Sequence, residues 1–341
     1  MPETPPSPAP LFQLATSFWA FKTLAGAYEL ELFARLAGTS GLTFQEFAKD
    51  VEIDERPARM LLTGCASLGL LEKAGDRYRN SPLADEYLVP GKPHHFGGLL
   101  TMLDQRLYPA WGRLTEAVRA NRPVSWDTEH EKSLFESQDP AVTATFWEAM
   151  HTLSTFAGEA LADAVGLDGA ASLLDVGGGS GALAIALCRA RPGLRATVYD
   201  LPFVTQIAAR RVEEAGLGGR ISTVDGNFFE DASLPGGHDT HVLCNILHDW
   251  RESDAQLLLG KSFDALAPGG LVIIAGFLVN EEQTGPTPAA LMSLTQLIET
   301  EGRAYTASEY TDWLTAAGFV EPYTVALESI GANGAVVARK P

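Results

Sequence analysis

The sequence is poor in the features that mark an exported, membrane-spanning or nucleic-acid-binding chain. Its three cysteines, Cys65, Cys188 and Cys244, are an odd number with no C-x-x-C spacing, which argues against a disulfide framework or a zinc cluster and leaves each as core filler. His238-x-x-His241 and the adjacent His94 and His95 lack further ligands at metal-binding spacing, so no metal is expected. No apolar run approaches the roughly 20 residues that cross a bilayer. Residues 1–10 hold five prolines and no basic start, so they read as a disordered tail and not as a signal peptide. The expectation is a cytoplasmic protein with no membrane partner. Bases are scarce too: 25 Lys and Arg against 43 Asp and Glu give a net charge of −18 with no basic cluster. Nucleic-acid binding depends on neutralising phosphates with such clusters, so no nucleic-acid partner is expected.

What is present suits a folded chain with 46% hydrophobic residues and a length that favours two domains. Leu11 to Leu36 carries apolar residues at helical spacing, among them Phe18, Phe21, Tyr28 and Leu32, and Gly38 and Gly41 then break it. This segment is apolar on more than one face, which predicts burial against a second subunit. Thr43-x-x-Glu46 is a capping box for the next helix, and Asp54 can cap another that runs to about Leu71. Glu72 to Arg79 alternates around Gly75-Asp76, a hairpin turn. Helix, helix, hairpin is a winged-helix order over residues 11–110. A ligand-sensing regulator would put that element on DNA, but the second helix sets Asp54 and Glu55 against Arg56 and Arg59. Dimerisation therefore fits it better.

Residues 111–165 stay helical, interrupted by the polar Asn121 to Glu131 linker candidate. Here Phe146, Trp147 and Met150 put large side chains on adjacent helical faces, a core stripe or the wall of a cleft. From 166 to 341 the pattern becomes strand, glycine-rich turn, helix. Strand-like runs at Ser172 to Val176, Ala196 to Tyr199, Ile221 to Val224, His241 to Ile246 and Leu271 to Ala275 alternate with helical stretches, which predicts a parallel sheet covered by helices. Phe319 to Leu327 and Ala335 to Ala338 are joined by too few residues for a parallel crossover. They should form an antiparallel hairpin at the end of an otherwise parallel, Rossmann-like α/β sheet.

The most informative stretch is Leu173-Leu174-Asp175-Val176-Gly177-Gly178-Gly179-Ser180-Gly181. A strand runs into alternate glycines and then a helix, which lets the backbone approach a ligand closely. Asp175 just before the glycines would repel a pyrophosphate but not a zwitterionic or cationic ligand, which disfavours a nicotinamide oxidoreductase. A second acid, Asp200, ends the next strand, where a carboxylate can accept both hydroxyls of a ribose.

Taken with Asp200-Leu-Pro, Gly226-Asn-Phe-Phe, Ile246-Leu-His-Asp-Trp250 and Ala267-Pro-Gly-Gly270, in that order, this stretch resembles the S-adenosylmethionine-dependent small-molecule O-methyltransferases of the caffeate, hydroxyindole and anthracycline type. The resemblance covers nearly the whole chain. It implies an N-terminal winged-helix dimerisation domain, a homodimer, and methyl transfer from S-adenosylmethionine, leaving S-adenosylhomocysteine, to the hydroxyl of a small aromatic secondary metabolite. Asp175, Gly177 and Gly179 would contact the methionine part, Asp200 and Leu201 the ribose and adenine, and Asn227 with Phe228 the adenine. Asn227 stands where the family usually has Asp, and Cys244 where relatives are often polar near the cofactor. Phe146, Trp147, Met150, Met292 and Leu294 would line the acceptor pocket. C-methylation or a non-methylating reaction on the same fold is the alternative.

By the same resemblance His248 is the general base, a role that suits a side chain largely neutral near pH 7. Two departures stand out. Relatives often hold the histidine with acids where this chain has Gly276 and Ala304, and Glu299 or Glu301 could substitute. Asp249-x-x-Glu252 and Ser253-x-x-Gln256 are alternative capping boxes for the next helix, and Trp250 is expected to pack.

Overall fold

The computed structural model describes residues 6–126, 135, 140–167 and 169–341. The chain divides into two compact units, Met1–Gln105 and Arg106–Pro341. The linker candidate from Asn121 to Glu131 lies outside the described residues from 127 onward.

The first unit runs α1 (Ala9–Glu29), α2 (Leu32–Leu36), α3 (Phe44–Asp50), α4 (Glu55–Ser67), β1 (Leu71–Ala74), β2 (Arg77–Asn80), α5 (Pro82–Tyr87) and α6 (Gly97–Met102). Helix α1 starts at Ala9, inside the stretch read as a tail. The apolar segment from Leu11 to Leu36 is also two helices and not one, because Glu31 takes a left-handed φ of 55°. The turn there sends Leu32, Phe33 and Leu36 into a core with Phe47, Leu62 and Tyr78. The start of α1 keeps Leu11, Phe12, Leu14, Phe18 and Trp19 exposed. Thr43 and Glu46 form the expected capping box. Asp54 sits at the N-cap of α4 without a side-chain bond, and α4 ends at Ser67, four residues before the expected end. The chain must leave the helix there because Leu71 pairs with Asn80 in the β1–β2 hairpin. Leu42 bridges Tyr78 alongside it, completing the helix, helix, hairpin order.

The second unit opens with α7 (Tyr108–Trp111), α8 (Leu114–Ala120) and α9 (Pro140–Ala164). Then follow β3 (Ser172–Val176), α10 (Ala182–Ala190), β4 (Arg195–Asp200), α11 (Pro202–Glu214), β5 (Ile221–Asp225), β6 (Thr240–Cys244) and α12 (Glu252–Ala265). The chain closes with β7 (Leu271–Gly276), α13 (Thr287–Glu299), α14 (Ala307–Ala316), β8 (Val320–Ala326) and β9 (Gly334–Arg339). The seven strands lie in the order β5-β4-β3-β6-β7-β9-β8. The first five are parallel, and β9 runs antiparallel to both β7 and β8. This is the expected terminal hairpin, with the last strand inserted between β7 and β8. Strands β3, β6 and β7 are buried along nearly their whole length, as strands covered on both faces must be.

Strand order reverses at β3, whose neighbours are β4 and β6. A doubly wound sheet opens its ligand crevice at the carboxyl ends of the strands at such a switch point. Two local expectations fail beside it. Strand β6 stops at Cys244, not Ile246, because Asn245 is left-handed with φ 55°. Neither capping box forms at α12, whose N-cap is Arg251 with no side-chain bond. Asp249 is instead drawn inward, with a side chain only 14% exposed. Among the described residues no helix is long and apolar enough to cross a membrane.

Candidate active site

The turn after β3 is held by the end of β4. Gly177 N–H donates to the Tyr199 carbonyl at 2.8 Å. Gly179 N–H donates to one Asp200 carboxylate oxygen at 2.8 Å, and Leu201 N–H to the other at 2.7 Å. Gly179 has a left-handed φ of 57°, and a Cβ there would come within 3.0 Å of the Trp147 ring on α9. Only glycine meets both demands. Ser180 in the same turn is buried, and its hydroxyl lies 2.8 Å from Nδ1 of His151. Sequence reasoning missed His151, since nothing in its local pattern ties it to a turn 29 residues later.

Two acids face this turn from inside. Asp175 is almost fully buried, and its Oδ2 has no hydrogen-bond partner. Burial first, and the nearby Asp200 second, push its carboxyl up to about 7. Burial also pushes Asp200 up to about 6, against the pull of the Gly179 and Leu201 amides. Two desolvated acids side by side favour a ligand that brings positive charge. With a carboxylate at the end of β4 able to accept further hydrogen bonds, the site fits a cationic nucleoside derivative, as S-adenosylmethionine is.

The turn after β5 carries Asn227 and Phe228. The Asn227 side-chain oxygen already accepts from Phe229 N–H at 3.0 Å, so the residue pins its own turn. Lys261 on α12 clamps the same turn from below, donating to the carbonyls of Phe228 at 2.8 Å and Asp231 at 2.7 Å. The Tyr199 hydroxyl donates to Asp231 at 2.7 Å. Neither Lys261 nor Tyr199 was visible as a support from spacing alone. Cys244 ends β6 half-buried, and burial pushes its thiol far up, so it stays neutral.

His248 lies in a short 3₁₀ turn, Leu247–Asp249, after β6. It is 7% exposed. Burial pushes its imidazole down to about 4, opposed in part by the main chain of Asn245. Its Nε2 is 3.8 Å from Asp249 Oδ1. Asp249 is pushed well above the usual carboxylate range by burial and then by Glu299. Glu299, at the end of α13, is raised by burial and held back by Arg106. Arg106 Nε stands 3.1 Å from Glu299 Oε1 but off-axis, so that buried oxygen accepts no directed hydrogen bond. Glu301 is elsewhere, in an exposed ion pair with Arg251. Gly302 presses on the His248 main chain, where a Cβ would fall 2.0 Å from its carbonyl oxygen.

Aromatic rings run from α9 to this turn. Phe146 packs on Trp147 and Phe135, Phe135 on Trp250, and Trp250 on Phe228 and Phe229. The Arg106 guanidinium lies 5.2 Å from the Phe146 ring centre. Of the expected lining, Phe146 and Trp147 are therefore in this chain of rings. Met150 is half-buried one turn further along α9, and Met292 and Leu294 are half-buried on α13 before Glu299. Of the pair His238 and His241, His238 lies 3.0 Å from the Thr197 hydroxyl and His241 2.9 Å from that of Ser262.

A family model described as an O-methyltransferase domain matches residues 111–320, and one described as an O-methyltransferase dimerisation domain matches residues 12–90. The chain is 45% identical to 3-hydroxy-5-methyl-1-naphthoate 3-O-methyltransferase of Streptomyces sahachiroi, over 99% of this chain and 97% of that one. It is 34% identical to the tetracenomycin polyketide synthesis 8-O-methyl transferase of Streptomyces glaucescens, over 98% and 97%. Among solved structures, human N-acetylserotonin methyltransferase in complex with SAM has a TM-score of 0.88 at 29% identity, covering 100% of this chain and 99% of that one. The paired acids, the glycine turn and the switch-point crevice thus have a common reason, since the chain belongs to the S-adenosylmethionine-dependent O-methyltransferases.

Proposed function

We propose that this enzyme methylates a hydroxyl of a small aromatic secondary metabolite, with His248 as general base. The observation that carries the reading is a buried imidazole, pushed down to about 4 and therefore neutral near pH 7, set beside a run of aromatic rings at the carboxyl end of β6. S-adenosylmethionine, when bound, supplies an electrophilic methyl group on a sulfonium. The chain's own residues hold that cofactor and prepare the acceptor. Asp175, Gly177 and Gly179 take the methionine part, Asp200 and Leu201 the ribose and adenine, Asn227 and Phe228 the adenine, and Cys244 lies near the cofactor. Phe146, Trp147, Met150, Met292 and Leu294 wall the acceptor, in keeping with a relative whose name specifies a hydroxynaphthoate.

His248 accepts the hydroxyl proton as the oxygen attacks. A phenol with an ordinary pKa near 10 is far less acidic than an imidazolium, so proton removal has to accompany methyl transfer. Between the two candidate acids, burial next to Arg106 and Asp249 favours Glu299, whereas the exposed Arg251 pair keeps Glu301 at the surface. His248→Ala should lower kcat for a hydroxynaphthoate by roughly 10² to 10⁴, the usual contribution of a positioned base, with S-adenosylhomocysteine affinity nearly unchanged. Equal rates for wild type and variant across pH 6 to 9 would sink the base assignment.

The same reading makes the protein a homodimer through the first unit. A row of exposed Leu11, Phe12, Leu14, Phe18 and Trp19 on α1 is a larger apolar surface than a monomer ordinarily leaves in water. Light scattering should give twice the chain mass, and Phe18→Glu with Trp19→Glu should reduce it. A monomeric wild type at micromolar concentration would rule this out.

A further inference from the structure

Residues 177–181 are glycine at every position but one, so Ser180 carries the only side chain of the turn. Glycine loses more freedom on ordering than any other residue. A turn of this composition keeps one shape only if something outside holds it. Its first half is tied down through the main chain, Gly177 N–H to the Tyr199 carbonyl and Gly179 N–H to the Asp200 carboxylate. Its second half has an internal bond, Gly181 N–H to the Gly178 carbonyl at 2.9 Å. Among the described residues it has one side-chain anchor, the Ser180 hydroxyl at 2.8 Å from His151 Nδ1.

That anchor stands on a well-braced helix. Trp147, His151 and Gly158 share one face of α9 by their helical spacing. At Trp147 the face meets the turn, since a Cβ on Gly179 would stand 3.0 Å from the ring. At Gly158 it meets α10, the helix that begins at the turn; a Cβ on Gly158 would stand 2.9 Å from Ala186 Cβ and 3.1 Å from Leu183 Cα. Glu148 of α9 is also paired with Arg211 of α11. Burial first, and Arg211 second, push the His151 imidazole below its ordinary value, so the ring is neutral near pH 7. Either tautomer of a neutral ring can bond to a hydroxyl, which both donates and accepts.

We propose that His151 is a positioning residue for the cofactor: through Ser180 it holds the second half of the glycine turn in its binding shape. A turn without this hold would have to be ordered at the moment of binding, and the cost would appear as lost affinity. The same helix carries Phe146 and Trp147, so the turn is fixed to an element that walls the acceptor in the reading above. The inference rests on that reading of the turn as the cofactor site.

The test is calorimetry of S-adenosylhomocysteine with the full chain, joined to hydrogen exchange of the turn amides without ligand. Ser180→Ala and His151→Leu should each weaken binding by about fivefold, the worth of one net hydrogen bond. The double variant should lose no more than either alone, because both changes remove the same contact. His151→Asn puts a hydrogen-bonding atom near the place of Nδ1 and should restore affinity to within about twofold of wild type. In Ser180→Ala and His151→Leu the amides of residues 178–181 should exchange faster while those of α9 and the sheet do not; a contact that only stabilises the fold would speed exchange along α9 as well. Wild-type affinity and wild-type turn exchange in folded Ser180→Ala would overturn the inference, and this small change decides if His151→Leu fails to fold. Additive losses in the double variant would overturn it too. If those variants bind normally while Asp200→Ala binds weakly, the inference alone falls; if Asp200→Ala binds as tightly as wild type, the cofactor reading of the turn falls and takes the inference with it.

Discussion

The two halves of the cleft are built differently. The half proposed for the cofactor is made of strand ends and the turns that directly follow them, where Gly177 N–H meets the Tyr199 carbonyl and the Gly179 and Leu201 N–H groups meet the Asp200 carboxylate. The half proposed for the acceptor is assembled from side chains far apart in the chain: Arg106, Phe135, Phe146, Asp249 and Glu299 come from five separate segments. A site made of backbone tolerates little change, because its donors are fixed by the sheet. A site made of distant side chains can be altered one residue at a time, which suits a fold that keeps one cofactor and accepts many hydroxyls.

The sharpest way to break this contrast is at Asp200. Its two oxygens each hold a turn amide, and a ribose would add two charge-assisted hydrogen bonds worth roughly 1.5–3 kcal/mol each. Asp200→Ala should weaken S-adenosylhomocysteine binding by about a hundredfold or more by calorimetry, in a protein whose far-UV spectrum is unchanged. An affinity within threefold of wild type would remove Asp200 from the cofactor site and with it the idea that the turn is organised around it.

The same difference explains what could be read from the sequence. Strand, glycine turn and acid are contiguous at residues 173–181, so periodicity and turn chemistry reveal that strand and its turn, and the short connection after Leu327 reveals the terminal hairpin. Helix ends were less legible. The capping boxes at Asp249 and Ser253 have sound local chemistry, yet a buried place for Asp249 beside Glu299 overrode it. Leu11 to Leu36 has a continuous apolar pattern, and only the need to bury Leu32, Phe33 and Leu36 in the first unit's core breaks it at Glu31. Arg106 had no signal of its own. It matters because α13 returns Glu299 to it across almost two hundred residues, and no local rule reports that.

A middle-sized effect should appear on the acceptor side. Arg106 is the cation facing a buried pair of acids, Glu299 with Asp249 behind it, and its side chain is 17% exposed. Removing one partner of a buried pair costs about 3–5 kcal/mol if the other stays charged. Glu299 is already raised and will take up a proton instead, so Arg106→Met should cost roughly 1–3 kcal/mol in chemical denaturation. Glu299→Gln added to it should restore part of that loss, because the acid that needed the cation is gone. If the two changes simply add, the pair is not coupled and the acceptor half is no more than packed aromatic rings.

The smallest effect should be a gain in stability, and it lies on the cofactor side. Asp175 has its folded pKa raised to about 7 from an ordinary 3.8. Between those values the folded protein keeps a proton that the unfolded chain has released. The contribution of this group is therefore intact at low pH, declines as pH rises through the window, and above about 7 becomes a constant cost. Asparagine has nearly the same shape and no charge to bury. Three pKa units set an upper limit of about 4 kcal/mol, and an amide that needs its own partners in the same place will recover less. Asp175→Asn should match wild type in Tm near pH 4 and exceed it by roughly 2–4 °C at pH 8 without ligand. Saturating S-adenosylhomocysteine should reverse the order, because the wild-type acid then has a cation to face and the amide does not. Site stability and site function would then be opposed at one residue, as expected where a charge is buried for a ligand's sake. A Tm difference that does not change between pH 4 and 8 would mean that Asp175 carries no buried charge, and the preference of this crevice for a cationic cofactor would need another cause.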